Sequence, residues 1–336
     1  MKRAEIISTL AELGGWLRNL TAVELDTICQ CAAAENGWFT PDNVKFALDG
    51  ISQWLTQEKL VAWADRYPWS HTPQSVGVAM AGNIPLVGFH DLLCILCAGH
   101  QAVVKPSSQD SFLVRHLIDR LIQIRPEIQN RIQLAENLKR VDAVIATGSD
   151  NTARTFEYYF RNVPHIIRKN RVSAGILMGE EPAEELAKLG MDVFCYFGLG
   201  CRNVSRILVP EGYNPDPLFR AWGKYKDIIN HHKYANNYDY QKSILLVNQA
   251  PFMDTGFVLA ISSSAWVSPI ACVHFGYYTT QEDLHQQMDK QPEKLQCVVS
   301  AGGWYAGSVP FGKAQLPEID DYSDNVDTMA FLSGLS

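Results

Sequence analysis

The chain has 336 residues, 47% hydrophobic and 19% charged, with a formal net charge of −7. At roughly 100–200 residues per domain, that length predicts two domains and a core that needs no disulfide or metal staples. The acidic balance, with no run of Lys and Arg, argues against a nucleic-acid partner. No stretch of about 18 uninterrupted apolar residues is present, so no membrane span is expected. The opening MKRAEIISTLAELGGWL lacks the continuous apolar core of a secretory signal. The eight cysteines are scattered (Cys29, Cys31, Cys94, Cys97, Cys195, Cys201, Cys272 and Cys297). That pattern suits reduced thiols, some of them buried, and a cytoplasmic location is expected.

Residues 1–66 read as helices. Ile7, Leu10, Leu13, Leu17 and Leu20 recur at three- and four-residue steps. Thr21-Ala-Val-Glu24 has the form of a capping box, and Pro41-Asp42 opens a further helix. From Ser75 the texture changes. Ser75-Val-Gly-Val-Ala-Met80 predicts a buried strand, Ala81-Gly-Asn-Ile-Pro-Leu86 a tight turn, Phe89 to Cys97 an apolar helix, and Gln101-Ala-Val-Val-Lys105 a second strand. That is a β-α-β unit of a parallel sheet. A helix over Ser111 to Ile124 and a strand over Val141 to Ala146 extend it into a doubly wound, nucleotide-binding type of domain. The basic segment Arg168-Lys-Asn-Arg171 separates it from a second α/β unit. There, strands are expected at Ala174–Met178, Ser205–Val209, Ser243–Val247 and Gln296–Ser300. The expected boundaries are 1–170, 171–312 and a C-terminal tail over 313–336.

Four segments could carry chemistry. In Phe197-Gly-Leu-Gly-Cys201-Arg-Asn-Val-Ser-Arg206, glycines permit close backbone approach to a ligand, and a cysteine on such an elbow can present its sulfur as a nucleophile. Nearby cations, with Arg202 and Arg206 the candidates, would favour the thiolate; a buried free cysteine is the plainer alternative. Asn83 stands at the C-terminal end of a strand, where open α/β sheets place ligands, and its amide could stabilise an oxyanion. It could equally be a turn asparagine bonding its own backbone. Val103-Val-Lys105-Pro-Ser107-Ser108 brings a lysine and two hydroxyls to a strand end; they suit a nucleotide ribose or phosphate, or a lysine snorkelling at the surface. Gly148 and Ser149, in Thr147-Gly-Ser149-Asp150, suit a phosphate loop at a helix N-terminus, though a full G-x-G-x-x-G is absent and a plain strand–turn–helix fits too.

Taken in order, these segments resemble the aldehyde dehydrogenase superfamily, with its Asn-x-Pro-Leu turn, Val-Val-x-Lys-Pro strand end, Thr-Gly-Ser loop and Gly-x-x-Cys elbow. Val309-Pro-Phe-Gly-Lys313 is similar to the family's late Pro-Phe-Gly segment. The resemblance runs from about Ser75 to the C-terminus and implies an α/β fold of two doubly wound domains with the active site in the cleft between them. Two departures narrow it. Hydrolytic members carry a water-activating glutamate some thirty residues before the cysteine, whereas Ile166-Ile-Arg-Lys-Asn-Arg171 has no acid. The family's Glu-x-Phe-Gly-Pro segment is replaced by Ser264-Ala-Trp-Val-Ser-Pro269. Both departures resemble the acyl-CoA reductase branch best known from bacterial luminescence operons (LuxC type), as do Pro310–Gln315 and Asp321–Met329.

The resemblance implies NAD(P)H-dependent reduction of an acyl thioester to an aldehyde. Cys201 would take the acyl group, Asn83 and the Cys201 N–H would hold the oxyanion, and Lys105, Ser107, Ser108, Gly148 and Ser149 would bind the cofactor. Where NAD-preferring relatives place a ribose-binding glutamate, this chain has Ser108, so NADPH is expected over NADH. The implied substrate is acyl-CoA or an acyl-protein, with a partner acyltransferase or acyl-protein synthetase, and the chain is expected to self-associate. Aldehyde oxidation by the same fold and a catalytically inactive binding subunit are the alternative readings. Other features carry plainer expectations. Cys94 and Cys97 are expected to pack in a helix rather than bind a metal. His231 and His232 should diverge on a helix, Lys233–Tyr240 should be a surface loop, and His165 a structural histidine. Arg168, Lys169 and Arg171 should be solvated, and Asp320, Asp321, Asp324 and Asp327 should form a solvated tail.

Overall fold

The structure, a computed structural model, describes residues 1–335. It divides into two compact units, Met1–Asn170 together with the segment from Glu318 onward, and Arg171–Pro317.

The first unit opens with four helices, α1 (Arg3–Arg18), α2 (Ala22–Glu35), α3 (Pro41–Trp54) and α4 (Gln57–Ala64). The three- and four-residue steps of α1 place Ile6, Leu10, Leu13 and Leu17 in the core. Thr21 and Glu24 close the capping box that starts α2. A parallel five-stranded sheet follows, built from β1 (Ser75–Ala79), β2 (Gln101–Lys105), β3 (Ile132–Leu134), β4 (Ala143–Thr147) and β5 (His165–Arg168) in the order β3-β2-β1-β4-β5. The connecting helices are α5 (Phe89–Ala98), α6 (Ser111–Ile124) and α7 (Asp150–Phe160). Every residue of α5 from Asp91 to Ala98 is buried, as befits a helix apolar all round. It stops at Gly99, whose φ of +96° is left-handed and whose Cβ, if present, would lie 2.9 Å from the Ser70 carbonyl oxygen.

The second unit holds a seven-stranded sheet of β6 (Val172–Ile176), β7 (Val204–Pro210), β8 (Met253–Asp254), β9 (Leu259–Ser262), β10 (Cys272–Tyr278), β11 (Leu295–Ser300) and β12 (Val309–Pro310). The order is β12-β11-β6-β7-β10-β9-β8, and all pairs are parallel except β8 with β9. Helices α8 (Ala183–Phe194), α9 (Asp216–Trp222), α10 (His232–Val247) and α11 (Gln281–Met288) connect them. Leu186, Leu189, Val193, Ile207, Trp222 and Phe275 form part of its core.

Several expectations are corrected. Ser243–Val247 is the last turn and a half of α10, not a strand, and Lys233–Tyr240 is helix rather than loop. Tyr234 and Tyr238, four apart, turn to the buried side of α10, while Leu246 and Val247 stay exposed. The acidic tail is structured. Asp320 pairs with Arg66 at 3.0 Å, and Asp327 caps α12 (Thr328–Ser333) while accepting from the Tyr67 hydroxyl at 2.8 Å. Arg168 is not solvated either: its Nη1 donates to Asp91 at 2.5 Å and its Nη2 to the Thr328 hydroxyl at 2.9 Å.

Candidate active site

In the first unit the residues expected to bind a cofactor come to one edge of the sheet. Ala79 of β1 is in register with Lys105 of β2 and with Ala146 of β4, so the loops after all three strands leave at one level. The chain winds outward from β1 through β2 to β3, then returns to β4 on the other side, so the order reverses between β1 and β4. Open α/β sheets hold ligands at such a reversal, beyond the C-terminal strand ends. Asn83 follows β1, Lys105 ends β2 ahead of Ser107 and Ser108, and Gly148 and Ser149 follow β4.

Each loop has a local reason for its shape. The turn bearing the exposed Asn83 is held at both ends: Asn36 Nδ2 donates to the Gly82 carbonyl at 3.2 Å, and the Leu86 N–H donates to Asp110 Oδ2 at 2.7 Å. A Cβ on Gly82 would lie 2.6 Å from Ser107 Oγ, so only glycine lets the β1 and β2 loops approach this closely. Burial pushes the Asp110 carboxyl up to about 8, against the lowering effect of the Leu86 N–H, and the charge of Glu35 adds to the rise. Ser149 is the N-cap of α7, its hydroxyl accepting from the Thr152 N–H at 3.3 Å. Lys105 is half-buried and enters no ion pair among the described residues. A cation, two hydroxyls and a capped helix N-terminus at the reversal of strand order are a donor set that fits the phosphates and ribose of a dinucleotide.

In the second unit Cys201 is half-exposed on a tight elbow between α8 and β7. Tyr196, Phe197 and Gly198 are consecutive left-handed residues, with φ of 50°, 58° and 78°. Two non-glycine residues in that region carry strain, on the order of 1–3 kcal/mol each, which the surrounding bonds must offset. The Phe197 ring lies 4.3 Å from that of His231. His231 is the N-cap of α10, not a residue within it, so its ring stacks on that of His232 at 5.1 Å instead of diverging. Arg206 is committed elsewhere. It donates to the Ser264 carbonyl, and its guanidinium lies 4.8 Å from the Trp266 ring centre. Among the other thiols, burial pushes Cys97, Cys195 and Cys272 up to about 12, and raises Cys94 as well.

Two residues that sequence reasoning did not single out hold the elbow. Asn203, 2% exposed, accepts from the Gly200 N–H at 2.8 Å through Oδ1. Its Nδ2 donates to the carbonyls of Cys195 at 2.7 Å, Asp192 at 3.1 Å and Val193 at 3.3 Å. Ser173, on β6, donates to the Cys201 carbonyl at 3.1 Å and lies 3.0 Å from Cys297 Sγ. Ser173 has no local signal, because its role comes from packing of β6, whereas Asn203 could have been found as an asparagine three residues after Gly200, placed to close the turn on the Gly200 N–H. Asp192 secures the late Pro-Phe-Gly segment, accepting from the N–H groups of Gly312 at 2.6 Å and Ala314 at 3.0 Å. Burial pushes its carboxyl up to about 7 despite those two bonds.

No family model and no curated protein matches the sequence. Solved structures do match. An aldehyde dehydrogenase from Mycobacterium tuberculosis, complexed with NAD+, superposes with a TM-score of 0.66 at 14% identity, over 89% of this chain and 73% of its own. Aldehyde dehydrogenase 21 from Physcomitrella patens, in complex with the reaction product succinate, gives 0.70 at 13% identity over 100% of this chain and 84% of its own. This is the aldehyde dehydrogenase fold. An NADP-dependent enzyme from E. coli shares it, with a TM-score of 0.66 at 12% identity over 89% of this chain and 73% of its own. Among the described residues no helix is long and apolar enough to cross a membrane, and no group of three or more His, Cys, Asp or Glu could hold a metal.

Proposed function

We propose that this protein is an acyl-CoA reductase of the LuxC type, an oxidoreductase that converts a fatty acyl thioester to an aldehyde with NADPH. The observation that carries the reading lies where a hydrolytic aldehyde dehydrogenase would keep its water-activating glutamate. That stretch is β5 and the turn after it, Ile166 to Arg171, and it holds only apolar, cationic and amide side chains. Arg168 is buried against Asp91, and Lys169 pairs with Glu157 at 2.9 Å. Without a base there, a thioester on the enzyme is poorly hydrolysed and survives to be reduced.

In the proposed reaction the Cys201 thiolate attacks the thioester carbonyl, forming a new C–S bond while the CoA thiolate leaves. The Cys201 N–H and the Asn83 amide stabilise the oxyanion in that step. A bound nicotinamide supplies the hydride. Collapse of the resulting thiohemiacetal breaks the bond to sulfur, releases the aldehyde and restores the thiolate. Lys105, Ser107, Ser108, Gly148 and Ser149 bind the cofactor, with Ser108 leaving room for a 2′-phosphate that a carboxylate would repel. The acyl donor is acyl-CoA or an acyl-protein delivered by an acyltransferase or acyl-protein synthetase, and the protein acts in the cytoplasm as a homo-oligomer. The test is a panel of acyl-CoAs with NADPH, following cofactor absorbance and trapping aldehyde. Loss of absorbance with aldehyde release is expected. A carboxylic acid formed from aldehyde and NADP+, with no turnover of any acyl-CoA, would select aldehyde oxidation instead.

A further inference from the structure

We propose that Asn203 is a positioning residue that aims the main-chain N–H of Cys201. The inference rests on the reading of Cys201 as an acyl-accepting nucleophile. The peptide linking Gly200 to Cys201 is trans, so its carbonyl and its N–H point in opposite directions. Fixing one therefore fixes the other. The Gly200 carbonyl accepts from the Asn203 main-chain N–H at 3.0 Å, which sets the Cys201 N–H pointing away from Asn203. The preceding peptide is fixed by the same residue, because the Gly200 N–H donates to Asn203 Oδ1 at 2.8 Å.

Asn203 is in turn held by the fold. Its amide donates to three carbonyls at the end of α8 and the start of the elbow, and its own carbonyl accepts from the Ser173 N–H at 3.0 Å. Asn203 thus ties both peptides before the nucleophile, the Leu199–Gly200 peptide through its side chain and the Gly200–Cys201 peptide through its main chain, to the end of a helix and to the neighbouring strand. Without the side chain, the Leu199–Gly200 peptide that follows the strained run Tyr196-Phe197-Gly198 loses its bond to Oδ1, and the Gly200–Cys201 peptide keeps only its main-chain bond, on a turn no longer anchored to the end of α8. An oxyanion donor works only when held within a few tenths of an ångström of where the charge develops. Asn203 touches no reacting atom; it acts through the peptide.

The role separates two reactions of the same sulfur. Acylation by an activated ester, p-nitrophenyl acetate, passes through an oxyanion, whereas alkylation by iodoacetamide is a displacement at carbon and does not. Asn203→Ala is expected to slow Cys201 acylation by about 10- to 100-fold, the loss expected when an oxyanion donor is misdirected, and to leave alkylation within about threefold. Asn203→Asp keeps an oxygen facing the Gly200 N–H but sets its second oxygen against the carbonyls of Asp192, Val193 and Cys195, so it should slow acylation as well. If circular dichroism shows that Asn203→Ala does not fold, the aspartate variant is compared with wild type, and acylation should again fall further than alkylation. Equal losses in both reactions, or no loss in either, overturn the proposal. Wild-type protein that reacts with the ester but with no acyl-CoA removes the reductase reading alone. Wild-type protein that is alkylated yet never acylated by the ester removes both.

Discussion

Arg168 and Asp91 form a buried ion pair that can be broken from either side. The two side chains are 4% and 7% exposed, 2.5 Å apart, and the second arm of the guanidinium reaches the Thr328 hydroxyl at 2.9 Å. The pair therefore ties β5 and α5 to the C-terminal helix. Replacing Arg168 by Met keeps much of the volume but leaves the Asp91 carboxylate buried without a counter-charge. Breaking such a pair from one side costs about 3–5 kcal/mol, because the remaining charge keeps its desolvation penalty. For a unit of this size that corresponds to a fall of about 6–20 °C in melting temperature. The double variant Arg168→Met/Asp91→Leu removes both charges and should recover most of the loss. Thermal melts of wild type, both single variants and the double variant provide the cycle. A single-variant loss under about 1 kcal/mol, as for an exposed pair, would refute the assignment of a buried, mutually dependent pair.

Two further outcomes follow from the site. The carboxyls of Asp110 and Asp192 are pushed up to about 8 and about 7, above the unfolded value near 4, so the fold favours their protonated forms. Their contribution to stability is full below about pH 4 and is lost as pH rises through 7 and 8. Urea midpoints should therefore fall over that window, and Asp110→Asn, which keeps an acceptor for the Leu86 N–H, should flatten the fall; an unchanged slope would contradict the assignment. At the proposed cofactor loop, Ser108→Glu should raise the Michaelis constant for NADPH about tenfold or more by repelling the 2′-phosphate, with little change for NADH. Equal shifts for both cofactors would remove Ser108 from the ribose site.

Local chemistry made the first unit the more legible. The runs Val76–Met80 and Ala102–Val104 are apolar and uninterrupted, and they flank an apolar helix, as in a buried parallel unit. Ser149 reads as a helix cap because its hydroxyl bonds only three residues away. The second unit obscured its own signals. Ser243-Ile-Leu-Leu-Val247 has the composition of a strand, yet it ends a helix and leaves Ile244, Leu246 and Val247 exposed at 36%, 59% and 82%. Composition there does not report burial. Arg168, read as solvated, is buried because Asp91, 77 positions away, meets it. Asn203 has a local part, the turn that its Oδ1 closes with the Gly200 N–H three residues back, but its bonds to the carbonyls at 192, 193 and 195 and its link to Ser173 exist only once α8, β6 and β7 have packed.

Intact mass of the protein after mixing with an acyl-CoA, before and after NADPH is added, bears most directly on the role given to Cys201. One acyl group should appear, mapped to Cys201 and absent from Cys201→Ala, while Cys195→Ala still acquires it because burial holds the Cys195 thiol near 12. Adding NADPH should then discharge the adduct as aldehyde. An adduct on any other residue, or one that NADPH leaves in place, would contradict the account.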